Sequence, residues 1–186
     1  MKISLSCVLL IVSLTTALII PKSPVNYKPY YPRQISSLNS TLSRINTSVA
    51  ALTTSVNAYS GGAAAAASIA TAQSQLDADI KTATISLQGT PKLSPTDSMA
   101  IIQATNGLTP GIINSIQALV SKQPQFMADG IGGNIIGGLV RSLKNDTDAL
   151  GAAVVGITSD DQKTLAMQNV ASIDAVFQSA LTSFDM

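Results

Sequence analysis

From Ile35 onward the apolar residues recur at steps of three and four: Ile35, Leu38, Leu42, Ile45, Val49, Leu52, Val56 and Tyr59. Ser, Thr and Asn fill most of the positions between them. This spacing puts one narrow apolar stripe on a helix, and Ser60-Gly61-Gly62 stops it. A second helix reads over "AAAAASIATAQSQLDADIKTATISLQ", with Ile69, Leu76, Ile80, Ala83 and Leu87 inward, and ends at Gly89-Thr90-Pro91. A third begins in "LSPTDSMAII", where Ser94 is a good N-cap, Pro95 suits the first helical position and Asp97 suits the positive end of the dipole. Pro110-Gly111 should kink or split that element ahead of Ile112, Ile116, Leu119 and Val120. A fourth helix is expected from Pro124 or Phe126 through a glycine-rich run to Leu150, Val154 or Ile157. The last should be capped at Ser159, with Asp160 and Asp161 in its first turn and Ala166, Val170, Ile173, Phe177, Ala180 and Phe184 inward.

No segment sustains alternation of apolar and polar residues. The pattern predicts an all-α domain over residues 34–186, an up-and-down bundle of about five helices with short Gly/Pro turns. Two segments precede it. "MKISLSCVLLIVSLTTALII" reads as a signal peptide cut after Ala17, with an uncleaved anchor as the alternative because the apolar run reaches Ile20. Residues 18–33 are rich in proline and tyrosine and read as a linker or pro-segment, removable at Arg33. No second apolar segment is long enough to span a membrane.

Composition narrows the chemistry. Charged residues make up 11% of the chain, against roughly 25% in an ordinary soluble domain. The net charge is +1, so no basic field exists to hold nucleic acid. So little charge favours adsorption at apolar interfaces. Glu, His and Trp are absent and the one cysteine, Cys7, lies in the signal segment. A Ser-His-Asp or Cys-His arrangement and a zinc site therefore lack their residues. The close pairs Asp77/Asp79, Asp146/Asp148 and Asp160/Asp161 remain as acid–base candidates, but each sits on a polar helix face or at a helix start. No catalytic residue, metal ligand or cofactor is assigned.

The run "ADGIGGNIIGGLVRSLK" holds five glycines in the nine residues from Gly130 to Gly138. It lacks the preceding strand and the Lys-Ser/Thr of a phosphate loop, its offsets fail the dinucleotide fingerprint, and it is too short for a membrane span. Gly133 and Gly137 stand four apart on one helix face. They serve either close helix packing or an apolar cavity, since glycine removes volume without adding polarity. Three N-glycosylation sequons start at Asn39, Asn46 and Asn145; the first two share a face of the first helix.

The stretches "ISSLNSTLSRINTSVAALTTSVNAYSGG", "LTPGIINSIQALVSKQPQF" and "LKNDTDALGAAVVGITSDDQKTLAMQNVASIDAVFQSAL" resemble, in order and spacing, the fungal hydrophobic surface-binding protein A family, which includes cell-wall galactomannoproteins. The resemblance covers roughly Arg33 to Phe184. It implies a secreted or wall-associated helical bundle whose members bind hydrophobic surfaces, some taking fatty acids into a central apolar cavity, with no catalytic residues to carry over. The "GIGGNIIGG" stretch departs from the family in being richer in glycine, which bears on the size of any cavity.

The expected function is non-enzymatic binding of hydrophobic surfaces or fatty-acid-like lipids by an extracellular or cell-wall protein. Candidate lining residues are Leu42, Ile45, Val49, Leu52, Ile69, Leu76, Ile80, Ile116, Leu119, Gly133, Gly137, Val170, Ile173 and Phe177. A secreted hydrolase, recruited to such a surface, or a cell-wall polysaccharide would be a further partner. The rival expectation is a structural wall mannoprotein, a glycan-bearing scaffold without a specific ligand.

Overall fold

A computed structural model describes residues 32–131 and 133–184. The expected signal peptide and nearly all of the Pro-rich segment lie outside the described residues. Six helices are described: α1 (Pro32–Asn57), α2 (Ala63–Gln88), α3 (Pro95–Asn106), α4 (Thr109–Ala128), α5 (Gly133–Ile157) and α6 (Lys163–Phe184). The first helix begins at Pro32, two residues before the expected start of the domain.

Five long helices close a ring. α1 packs on α2 and α4, α5 packs on α2 and α6, and α6 returns to α4. The short α3 leans mainly on α1 and also touches α5 and α6. Inside the ring the side chains of Ile45, Leu52, Leu76, Leu119, Val140 and Phe177 are essentially without solvent contact. The α1 stripe is buried from Leu38 to Tyr59. The α6 stripe is buried at Ala166, Ile173, Phe177, Ala180 and Phe184, while Val170 is half-buried.

The third expected element splits. α3 stops at Asn106, Gly107 and Leu108 bridge the gap, and Pro110 falls in the first turn of α4, where its missing N–H costs nothing. The start of α3 follows its sequence signals. The Ser94 hydroxyl accepts the Asp97 N–H at 3.2 Å and donates to the Asp97 carboxylate at 2.8 Å.

Two expected boundaries need correction. Pro124 does not open a helix; it lies inside α4, which continues to Ala128. A proline there costs roughly 3 kcal/mol. Continuing the helix keeps Phe126 in register with Leu119 and buries it to 1% exposure, which offsets that cost. α4 then ends in a Schellman turn. Ile131 N–H donates to Phe126 C=O at 2.9 Å and Gly130 N–H donates to Met127 C=O at 3.1 Å. Gly130 has φ +75°, a conformation that suits glycine. The first glycine of the run is thus a helix stop, and only Gly133 onward lies in α5.

The last helix starts at Lys163, so Asp160 and Asp161 stand in the turn before it and not in its first turn. That turn is anchored to other elements. Ser159 N–H donates to Ser98 Oγ at 2.8 Å and Lys92 pairs with Asp160 at 2.5 Å. These contacts tie the turn to α3 and to the loop before it, and neither takes up an N–H of the first turn of α6.

An apolar pocket at three helix ends

Ala63 to Ala67 open α2 with side chains too small to fill the space beside them. Opposite them stand the C-terminal end of α4 and the first turns of α5. The gap between the three is a pocket of about 610 Å³, within the usual range for small-molecule sites. Its floor is Ile69, Phe126 and Ile136, all but fully buried. Ala66, Ala67 and Ala70 form one wall, and Ile131 and Leu139 the other. At the rim Ile135 leaves 59% of its surface in solvent.

One polar connection crosses the rim. The Tyr59 hydroxyl donates to Asp129 Oδ2 at 2.8 Å, and the Tyr59 ring tilts against Phe126 with centroids 4.5 Å apart. Burial, then the hydrogen bond to Asp129 and its charge, raises the Tyr59 pKa above the ordinary phenol value. Gly61, with φ +104°, presses on the same carboxylate: a Cβ there would lie 3.1 Å from Asp129 Oδ2. Lys122 Nζ donates to Tyr59 C=O at 2.8 Å. The α1–α2 turn is therefore held to the end of α4 from several directions.

Among the lining candidates whose surroundings are described, Ile69 alone borders this pocket. Leu42, Ile45, Val49, Leu52, Leu76, Ile80, Leu119, Ile173 and Phe177 lie in the packed core of the bundle. Ile116 is buried and borders a second groove of about 510 Å³ between α4 and α6. Val170 packs on Gly151, where a Cβ would lie only 2.8 Å from Val170 Cγ2. Gly137 is buried beside Phe184, whose Cβ would be 3.4 Å from an added Cβ. That is a helix contact and not a cavity wall. The surroundings of Gly133 lie outside the described residues. Among the described glycines the tight helix crossings are Gly151 on Val170 and Gly111 on Val49, both outside the glycine-rich run.

The family model of hydrophobic surface binding protein A matches residues 35–156, from the start of α1 to the end of α5. The chain belongs to the hydrophobic surface binding protein A family. It is 24% identical to cell wall mannoprotein 1 of Aspergillus flavus over 156 residues, 84% of this chain and 56% of that one. It is 26% identical to cell wall mannoprotein 1 of Aspergillus fumigatus over 143 residues, 77% of this chain and 49% of that one. The chain thus spans about half the length of the curated relatives it matches. Among solved structures it is similar to Afmp4p in complex with palmitic acid, at 33% identity and TM-score 0.77, over 81% of this chain and 99% of that one. Ligand binding domain 1 of the Penicillium marneffei MP1 protein, complexed with arachidonic acids, shares the fold at 17% identity and TM-score 0.76, over 83% of this chain and all of that one.

The aspartate pairs of this family member have structural partners. Asp79 is buried between α1 and α2, where it receives Arg44 at 2.6 Å, the Ser48 hydroxyl at 2.6 Å and Gln75 at 3.2 Å. Burial pushes its carboxyl up, but the Ser48 and Gln75 hydrogen bonds and the Arg44 guanidinium outweigh burial and hold it below the ordinary value. Asp77 accepts from Gln73 at 2.9 Å, and burial followed by the charge of Asp146 raises it. Asp146 faces Lys81 at 3.3 Å, and Lys144 bridges Asp148 and Asp174 at 2.6 and 2.5 Å. Among the described residues no group of three metal-binding side chains converges. No described helix is long and apolar enough to cross a membrane. Asn39, Asn46 and Asn145 are all exposed.

Proposed function

We propose that this protein is a secreted or wall-associated binding protein, not a catalyst, that takes long-chain lipids of the fatty-acid class into the pocket between α2, α4 and α5. The observation that carries this reading is the pocket itself: about 610 Å³, floored by Ile69, Phe126 and Ile136, walled by alanines, and open to solvent. The palmitic acid held by the Afmp4p structure at 33% identity supports the ligand class. The exposed Ile135 lets the same end of the bundle adsorb to hydrophobic surfaces.

The energetics require a long chain. Each buried methylene contributes roughly 0.8 kcal/mol. Association costs at least about 4 kcal/mol in lost freedom, while micromolar affinity needs about 8 kcal/mol net. Some fifteen buried methylenes, about 12 kcal/mol, meet both demands. A medium-length chain would bind only weakly.

Titration with palmitate, read by calorimetry, tests the reading together with an Ala67→Trp variant. Ala67 lines the pocket yet is exposed, so the indole fills the pocket without overpacking the core. Stoichiometric uptake that Ala67→Trp abolishes is the expected result. Absence of uptake, or uptake that Ala67→Trp leaves unchanged, would overturn the assignment.

A scaffold role is the second reading. It is favoured by the exposed sequon asparagines and by the mannoprotein relatives. A glycosylated secreted chain that takes up no palmitate would support it over lipid binding.

A further inference from the structure

The pocket opens at one end of the bundle, where α2 and α5 start and α4 stops. α6 stops there too, with Phe184 beside Gly137 and the Ser183 C=O accepting from Gln123 Nε2 at 2.8 Å. Charge thins out towards this end. α1 has no charged residue after Arg44, α2 none before Asp77, α5 none before Arg141, and α6 none between Asp174 and Phe184. Among the described residues of that end Lys122 and Asp129 remain, of opposite sign and both held to Tyr59. Lys122 donates to its carbonyl and Asp129 accepts from its hydroxyl, each at 2.8 Å. Arg141 stands two turns into α5, beside Gly137. Exposed apolar side chains ring the mouth: Ile135, Ala63 and Ala67 on the pocket itself and Met127 on the last turn of α4. The opposite end also exposes large apolar side chains, Ile85, Leu165 and Met167, but they share it with Lys92, Asp160, Asp161 and Lys163. Pressing those charges onto hydrocarbon would strip their water. The sequon asparagines are rooted away from the mouth. Asn46 lies about 16 Å along α1 from Asn57, Asn39 farther still, and Asn145 about 18 Å along α5 from Gly133.

We infer that the bundle docks end-on, pocket mouth down, on a lipid surface without net charge, and that the lipid chain passes between that surface and the pocket during contact instead of through water. This rests on the reading that the pocket holds lipid chains, and it goes beyond adsorption in fixing the orientation and the route of the cargo. A chain that leaves through water exposes every methylene it had buried, and each one slows its escape by about fourfold. With the mouth seated on a lipid surface the chain moves from one hydrocarbon environment to another, and that penalty is avoided. A surface without net charge fits this end, since Lys122 and Asp129 offset each other and the attraction on offer is burial of Met127, Ile135 and the alanines.

Stopped-flow transfer of cis-parinaric acid, a straight-chain fluorescent acid, from the loaded protein to phosphatidylcholine vesicles carrying a non-exchangeable energy acceptor tests this. The transfer rate should rise in proportion to vesicle concentration, because contact is the slow step. Met127 does not line the pocket. Met127→Gln should therefore slow transfer by roughly fourfold or more while uptake at equilibrium stays unchanged. Met167→Gln, at the opposite end, should leave the rate as it is. A rate independent of vesicle concentration would mean escape through water and would overturn the inference in the wild type alone, even if Met127→Gln folds poorly. No slowing in a folded Met127→Gln, or equal slowing in Met167→Gln, would overturn the end-on orientation. A dimer that Met127→Gln breaks would assign the patch to a second copy of the chain and overturn it too. If cis-parinaric acid is not taken up, or Ala67→Trp leaves its uptake unchanged, the pocket assignment itself fails and contact transfer fails with it.

Discussion

Tyr59 and Asp129 lie 70 residues apart in the chain and meet through a 2.8 Å hydrogen bond at the rim of the apolar pocket. The contact joins the turn after α1 to the end of α4, and the Tyr59 ring rests on Phe126 in the pocket floor. Tyr59→Phe keeps the ring and removes the bond. The melting temperature should fall by a few degrees and the pocket should exchange ligand faster, both readable by thermal scanning and stopped-flow fluorescence. The raised phenol pKa gives a pH signature with a defined sign. The unfolded chain ionises Tyr59 first, near 10, so the contribution of the bond is complete below that pH and declines as pH rises through it. Tyr59→Phe should remove this alkaline loss, and an identical alkaline profile in the variant would contradict it.

Asp79 has the opposite dependence. Its folded-state pKa is depressed, so its contribution is present above the ordinary aspartate value of 3.8 and is lost as pH falls towards the folded-state value. Asp79→Ala leaves the buried Ser48 hydroxyl without its acceptor and should cost about 1–3 kcal/mol in chemical denaturation. Arg44 is 60% exposed and rehydrates, so Arg44→Ala should cost less. Equal losses in the two variants would mean that the ion pair, and not the buried hydroxyl bond, dominates.

The glycines separate by what surrounds them. Gly151→Ala puts a methyl 2.8 Å from Val170 Cγ2, so α5 and α6 must move apart, at about 1–3 kcal/mol. Gly138 is exposed with open space around its Cα, so Gly138→Ala should stabilise α5 by roughly 0.5–1 kcal/mol. Gly137 sits between these cases. An added Cβ makes ordinary contact with Phe184, so alanine is tolerated, whereas Gly137→Leu overpacks against α6 and lowers the melting temperature. A rise in stability for Gly137→Leu would mean that space lies there after all.

Local signals were enough for much of this fold. The three–four spacing from Leu38 to Tyr59 and the Ser94-Pro95-Asp97 start describe one helix each, and each is legible within one window of sequence. Pro124 misleads because its cost is local while the gain from burying Phe126 is tertiary. Gly130 misleads because a helix stop and a helix glycine look alike until the hydrogen bonds from Gly130 and Ile131 are known. The pocket was illegible for a related reason. Its walls come from the ends of three helices separated in sequence, and the alanines that leave it empty read as ordinary helix formers. Missing side-chain volume opens the pocket at Ala63, Ala66 and Ala67, whereas Gly137 packs on Phe184.

Chain length offers the sharpest quantitative test of the pocket. A slot that binds by burial alone gains roughly 0.8 kcal/mol for each methylene it covers, which is about a fourfold gain in affinity per added carbon. The gain should continue until the chain fills the 610 Å³ and its terminal methyl reaches the floor at Phe126 and Ile136, and then stop. A series of saturated acids of increasing length, measured by calorimetry at one salt concentration, should therefore rise steeply and level off. Filling part of the slot with Ala67→Leu should shift the plateau to shorter chains without changing the slope before it, because each methylene that still enters is buried as before. Affinity that keeps climbing with length, in parallel with the falling solubility of the acids, would point to adsorption on the outside of the bundle, for which exposed apolar side chains such as Ile135, Ile85, Met127, Leu165 and Met167 are the available surface.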